Sequence, residues 1–352
     1  MQKQILLLSW FKQFIKESAS GKRRTPAGKR IAKGTIEQYE TVYKYLEKFE
    51  DAKGATLRIA LLFGHQQRLY RREKAYWKNM KLAFENYLRN EYHCFDVYIA
   101  SVFKTLKTFF NYLELEKGLP VGKFHKQFRF PAYSYQPVLI GTEQLQRLIT
   151  DGALRDVLPI YLEESFDIFL FGCVAGLRYH DLMKLRKTDV QKIDGRYFLQ
   201  TAAQKTGTPV IIPLPDFAIA ILERLQKTRG RYLLRGLSNG NFNLHIKKIM
   251  EMAGYTQPLP KFRYRKNVLT EVKTKQGKSY RFCDHITAHT MRRTAITTLL
   301  MLDVPEQVVR RISGHAPGSK EFYRYVSIAR DYTNRHLSQA YDRLLKKPAE
   351  QT

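Results

Sequence analysis

Acidic residues are scarce in this chain: 32 Asp plus Glu stand against 61 Lys plus Arg in 352 residues, leaving a formal charge of +29. A charge of that size repels itself in the compact state. A polyanionic partner, most often nucleic acid, is the ordinary reason to carry it, although a ribosomal or membrane-surface protein would share the bias. Cysteine is scarce too. Cys94, Cys173 and Cys283 stand far apart with no CxxC pair, which excludes a zinc knuckle and a disulfide framework and fits a reducing compartment. Long apolar runs are missing, and nothing approaches the roughly 18 residues that a membrane span needs. The apolar run Ile5–Leu8 is soon broken by Lys12 and Lys16, while Leu8, Phe11 and Ile15 recur at helical spacing. An amphipathic helix is expected there rather than an export signal, and the expected location is cytoplasmic, away from membranes.

Nucleotide and metal motifs are absent as well. The sequence holds no GxxxxGK[ST] loop, no GxGxxG and no GxSxG elbow. His285 and His289 have metalloprotease spacing, but Ile286 stands where HExxH needs glutamate. No metal and no cofactor is expected.

What is present is enough chain for two domains with apolar cores. Residues 1–34 read as an N-terminal helix followed by a basic, Gly- and Ser-rich linker over 18–34. Residues 35–120 read as helical. Thr35 is an N-cap candidate with Gln38 as its capping-box partner. Apolar stripes follow along Tyr39–Leu46, Tyr76–Arg89 and Asp96–Glu116, and Gly118 and Pro120 end the last one. Residues 121–137, rich in proline and aromatics, read as a linker, and 138–346 as a second domain of mixed type. In that domain a helix is expected over Glu163–Ala175. A hairpin pairs Tyr197–Thr201 with Val210–Ile212, and a second covers 269–282 with its tip near Gln276–Gly277. Helices follow over His289–Leu302, Pro305–Ser313 and Tyr332–Leu345. The fold class is therefore mainly α with small β-hairpins, the second domain being α+β.

Chemistry is concentrated in short segments of that domain: AGLRYHDLMKL at 175–185, QKTGTPVIIPL at 204–214, AHTMRRT at 288–294, and ISGHAPGS at 312–319 followed by FYRYV at 322–326. Each alone is common by chance. Together, in this order, they closely resemble the signature boxes of the tyrosine recombinase (phage integrase) family, and the basic helical region before them resembles that family's core-binding domain. The resemblance spans roughly residues 30–340. It implies a core-binding domain and a catalytic domain that clamp double-stranded DNA, site-specific recombination through a 3′-phosphotyrosyl intermediate, and a homo-tetramer on paired sites.

The residue types suit that reaction. Negative charge grows on the non-bridging oxygens of a phosphodiester under attack, and guanidinium forks match those oxygens while staying charged. Arg178 and Arg292 match the family's two arginines. His289 lies about one helical turn before Arg292, so both project from one face, and His315 is placed to donate a further hydrogen bond. Lys205 matches the general acid for the leaving 5′-oxygen. A phenol is mostly protonated at neutral pH, and His289 is the base candidate. Asp181 matches an acidic position whose role is to orient the arginines; His180 has no assigned role. Tyr323 and Tyr325 compete as nucleophile, eight and ten residues after His315. The family's usual spacing falls between them, and Val326 after Tyr325 favours Tyr325. Lys and Arg crowd 261–281, and Lys273, Lys275 and Lys278 are expected to reach DNA phosphates. Two other readings stay open: a type IB topoisomerase, which shares the chemistry, and a basic DNA-binding protein that has lost catalysis.

Overall fold

The computed structural model describes residues 3–64, 67–202, 209–225, 230–234, 236–330 and 334. The chain divides into two compact units, one formed by residues 1–135 with 261–272, the other by 136–260 with the chain from 273 onward.

The first unit is a helical bundle around an aromatic core. Helix α1 (Leu7–Ser20) buries Leu7, Phe11, Phe14 and Ser18. Its inward stripe therefore starts one residue before the Leu8–Phe11–Ile15 set; Leu8 and Ile15 pack at the margin. Helix α2 (Lys33–Lys53) buries Tyr39, Val42, Leu46 and Phe49. It begins two residues before Thr35, with Ala32 as N-cap and no side-chain cap bond, so the expected capping box does not form. Helices α3 (Gln67–Glu91) and α4 (Asp96–Asn111) supply Trp77, Met80, Phe84 and Leu88, and Phe103, Leu106, Phe109 and Phe110. Trp77 meets Phe110 edge-on at 4.9 Å, and Phe11 lies 4.7 Å from Phe109. Each such fully buried side chain contributes about 1.5–3 kcal/mol by leaving water. A π-turn over Tyr112–Glu116 ends α4 earlier than its periodicity suggests. Strand β1 (Gln4–Leu6) pairs antiparallel with β2 (Arg58–Ala60), a ribbon that the sequence does not announce.

Two segments expected as linkers are packed into this unit. Arg23, in the basic stretch 18–34, is buried, pairs with Glu116 at 2.9 Å and lies over the Phe14 ring. Val121, Phe124 and Phe128 are buried in the same core. The unit also takes in a hairpin from far along the chain, Lys261–Arg265 paired with Val268–Val272. This corrects the expected hairpin over 269–282. The tip is Lys266–Asn267, both at positive φ (53° and 62°), and residues 274–278 form a separate turn closed by Gly277 at φ 76°. The tip amides donate to Asp96, at 3.1 Å from Lys266 and 2.8 Å from Asn267. The Tyr264 ring stacks on Tyr133 at 3.9 Å.

The second unit is built on helix α7 (Ile160–Ala175), which is largely exposed over its first turn and, from Ser165 on, predominantly apolar and almost wholly buried. Helix α5 (Thr142–Thr150) starts from N-cap Gly141, and α6 (Gly152–Val157) follows. After α7 come the short α8 (Tyr179–Leu182) and an antiparallel sheet in the order β3 (Val190–Ile193), β4 (Arg196–Ala202), β5 (Pro209–Pro213). Leu199, Val210 and Ile212 face the core. Helices α9 (Asp216–Leu225) and α10 (Asn239–Met252) pack on α7. A short α11 (Phe282–His285) leads to α12 (Ala288–Met301) and α13 (Glu306–Ile312), and a further helix runs through residues 320–330. The α7–α12 crossing is close: a side chain at Gly172 would run into Met291. Buried Asp167 on α7 accepts from Arg155 at 2.6 Å and from Arg224 of α9 at 2.8 Å. The helix expected over Tyr332–Leu345 lies outside the described residues. Among the described residues no helix is long and apolar enough to cross a membrane, and no cluster of His, Cys, Asp and Glu has the form of a metal site.

Candidate active site

The site grows from the ends of three helices in the second unit. Helix α7 stops at Gly176, whose φ of 62° turns the chain back sharply. That reversal buries Leu177 and brings Arg178 to the N-cap of α8. Arg178 is one-third exposed, and its Nη1 lies 4.0 Å from Asp181, longer than a hydrogen bond. This buried nitrogen has no hydrogen-bond partner. Asp181 is thus placed beside the guanidinium without saturating it.

Arg292, on the first turns of α12, is buried to 2% exposure. Its Nη1 donates to the Gly176 carbonyl at 3.0 Å, and its Nη2 makes a short bond to the Ser313 carbonyl. Burial, and then the neighbouring charge of Arg178, pushes Arg292 down to about 10, which leaves it charged at neutral pH. Two guanidinium groups held together, one with an unused donor, form a ready seat for an oxyanion.

His289 opens α12 one turn before Arg292. The residue is exposed. Its imidazole is nevertheless pushed down to about 4, first by desolvation and then by Arg293, Arg292 and Arg178. A neutral imidazole is the state a proton acceptor needs. His315 follows α13 and is likewise lowered to about 4, by desolvation and then by Arg292 and Arg178. Its Nδ1 lies 2.8 Å from the Ser313 hydroxyl.

The 320–330 helix carries both tyrosines. Phe322, Tyr325, Val326 and Ala329 pack with Ile296, Leu300 and Val309. Tyr325 is 6% exposed and its ring centroid lies 6.0 Å from that of His315. Tyr323, two residues earlier, points outward at 49% exposure. The structure therefore brings together Arg178, His289, Arg292, His315 and Tyr325 and leaves Tyr323 outside. His180 is exposed. Lys205 lies outside the described residues, between β4 and β5. Sequence reasoning missed Ser313 and the Gly176 carbonyl, the groups that fix Arg292; backbone acceptors leave no residue-type signal.

The model of the phage integrase family matches residues 144–330. This chain belongs to the phage integrase family. It is a tyrosine-type DNA recombinase, an enzyme of DNA strand breakage and rejoining. No curated protein matches it. Among solved structures, a lambda integrase dimer bound to a COC′ core site is 16% identical, with a TM-score of 0.58 over 92% of this chain and 77% of that one. A lambda integrase tetramer bound to a Holliday junction gives 16% and 0.57 over 90% and 79%. The Tn1549 transposon integrase in complex with circular intermediate DNA gives 12% and 0.56 over 94% and 99%. At these identities the likeness shows the fold: a core-binding domain followed by a catalytic domain.

Proposed function

We propose that the recombinase is site-specific and cleaves double-stranded DNA through Tyr325, forming a 3′-phosphotyrosyl link. The Tyr325 phenol oxygen attacks the scissile phosphorus and the bond to the 5′-oxygen breaks. His289 takes the phenol proton, and Lys205 gives one to the leaving 5′-oxygen, which departs as a free hydroxyl. Arg178 and Arg292 hold the non-bridging oxygens, with His315 as a further donor, so that the charge a metal neutralises elsewhere is met here by guanidinium groups. The covalent link conserves the energy of the phosphodiester, and rejoining needs no ATP.

The observation that carries this reading is the placement of Tyr325 on the inward face of its helix, beside His315, with Tyr323 turned to solvent. The decisive experiment is covalent trapping on a nicked suicide substrate. Tyr325→Phe is expected to abolish the protein–DNA adduct and Tyr323→Phe to retain it; the reverse would transfer the nucleophile to Tyr323.

The working assembly we infer is a tetramer on paired duplexes, in keeping with the lambda integrase tetramer that the fold resembles. An apolar cavity of about 610 Å³, lined by Val174, Ile211, Pro213, Leu299, Val304 and Val308, is suited to receive a segment of a neighbouring subunit. The residues that the sequence offers for such an exchange, Leu337, Tyr341 and Leu344, lie outside the described residues.

A further inference from the structure

Several arginines of the second unit sit beside an acceptor. Arg155 and Arg224 share Asp167, Arg281 pairs with Glu251 and Asp284, and Arg292 donates to the carbonyls of Gly176 and Ser313. Arg293, the next residue of α12, does not. It is half-buried, its Nε is buried without a hydrogen-bond partner, and among the described residues no carboxylate or carbonyl is paired with its guanidinium. A buried donor left unpaired on a group that stays charged opposes folding. The helix fixes where this charge stands. Arg293 follows His289 by four residues, so the two project from one face. After desolvation, its charge pushes the His289 imidazole down the most, ahead of Arg292 and Arg178. The guanidinium therefore stands by the His289 ring. Arg292 is 2% exposed and tied to two carbonyls, whereas Arg293 keeps part of its surface in water.

We propose that Arg293 is a DNA-binding residue of the recombinase: its guanidinium takes a backbone phosphate that flanks the scissile one, at the His289 edge of the site. The proposal rests on the reading of this cluster as the phosphodiester site. Arg178 and Arg292 hold the scissile oxygens in that reading, and a further fork beside them meets the next anion along a backbone that carries a charge at every nucleotide. Arginine suits the place because it stays charged next to other cations and its N–H groups match phosphate oxygens. The charge that opposes folding in the free protein gains its partner when DNA binds.

The test measures binding of the nicked duplex substrate against salt in the Tyr325→Phe background, and adduct formation in protein that retains Tyr325. Arg293→Gln is expected to weaken binding about tenfold and to reduce the slope of log K against log salt by about one unit. Arg293→Lys keeps the charge and loses the fork, so it should keep the slope. Adduct formation at saturating protein should stay close to wild type in both, because the scissile phosphate retains Arg178 and Arg292. Arg293→Met drops the charge and keeps the stem, so the melting temperature without DNA should rise. An unchanged slope in Arg293→Gln overturns the proposal by leaving Arg293 without a phosphate. Loss of the adduct at saturating protein overturns it by moving Arg293 onto the scissile phosphate. A melting temperature of Arg293→Met below wild type would assign the arginine to the fold and overturn it too. An adduct that survives in Tyr325→Phe is instead a failure of the nucleophile reading, and it leaves the salt dependence of binding to be read as before.

Discussion

At the scale of single residues, the site is a crowd of cations around two neutral imidazoles. His289 and His315 are both pushed down to about 4, by desolvation first and by the guanidinium groups of Arg178 and Arg292 next, with Arg293 adding to the effect on His289. In the unfolded chain a histidine titrates near 6.5. Between about pH 6.5 and pH 4 the unfolded chain therefore binds more protons than the folded one, and folding stability rises with pH across that window. The melting temperature of the DNA-free protein is expected to fall as pH drops from about 6.5 toward 4 through these histidines, and to go on falling at lower pH as the ion-paired carboxylates Glu251 and Asp284, held low by Arg281, become protonated. Buried His125, in the first unit, is lowered by desolvation too and adds to the same slope. The informative quantity is thus the difference between variants. His315→Asn should flatten the pH dependence of the melting temperature, and a slope identical to wild type would show that the His315 imidazole is not held neutral by the fold.

Individual elements differ in how openly their sequences declare them. The Asp96–Asn111 helix was legible because its inward residues, Ile99, Val102, Phe103, Leu106, Phe109 and Phe110, recur at three and four. Strand β3 and helix α10 were not. The first is short, and the second, NGNFNLHIKKIMEM, scatters its apolar residues among polar ones and is announced chiefly by the Ser238 cap on the Asn241 amide. The hairpin's place is hidden in the sequence because glycine marks a turn at Gly277, whereas at the true tip Lys266 and Asn267 adopt the left-handed conformation themselves. Placing residues with side chains there costs about 1–2 kcal/mol apiece. Here the carboxylate of Asp96, buried on the first turn of α4, offsets that cost by accepting both tip amides while Arg89 holds it at 2.8 Å. The boxes of the candidate site are legible because their residue types suit the proposed chemistry; Ser313, whose carbonyl accepts from Arg292, is not, because that contact depends on how α13 ends. Asp96→Ala leaves two amides and a guanidinium without their acceptor, a loss of about 1–3 kcal/mol. Amide hydrogen exchange at residues 264–269 should accelerate by roughly tenfold or more, since each 1.4 kcal/mol is a factor of ten, while exchange within α12 stays as it was. Unchanged protection at the tip would mean that strand pairing alone holds the hairpin.

Over the whole molecule the decisive property is the excess of 61 basic over 32 acidic residues. Counting charges overstates how many can meet a phosphate. Of the basic residues in 261–281, Arg263 lies over Tyr135, Arg265 donates to the Arg89 carbonyl, and Arg281 pairs with Glu251 at 2.7 Å and Asp284 at 3.2 Å. Those two carboxylates hold Arg281 well above the usual guanidinium range. Lys273, Lys275 and Lys278, around the 274–278 turn, are exposed, and Lys273 also donates to the Ser279 hydroxyl at 2.9 Å. Binding to duplex DNA releases about one condensed counterion for each phosphate neutralised, and the slope of log K against log salt records their number. Replacing Lys273, Lys275 and Lys278 together by Gln should reduce that slope by about one unit for each contact they make. Arg281→Gln removes the same formal charge from the same stretch, but it breaks internal ion pairs rather than DNA contacts. It should leave the slope nearly as steep as in wild type and lower the melting temperature. An unchanged slope in the triple variant would move the phosphate-binding charge away from this turn. A fall in Arg281→Gln equal to one full contact would show that its ion pairs open when DNA binds.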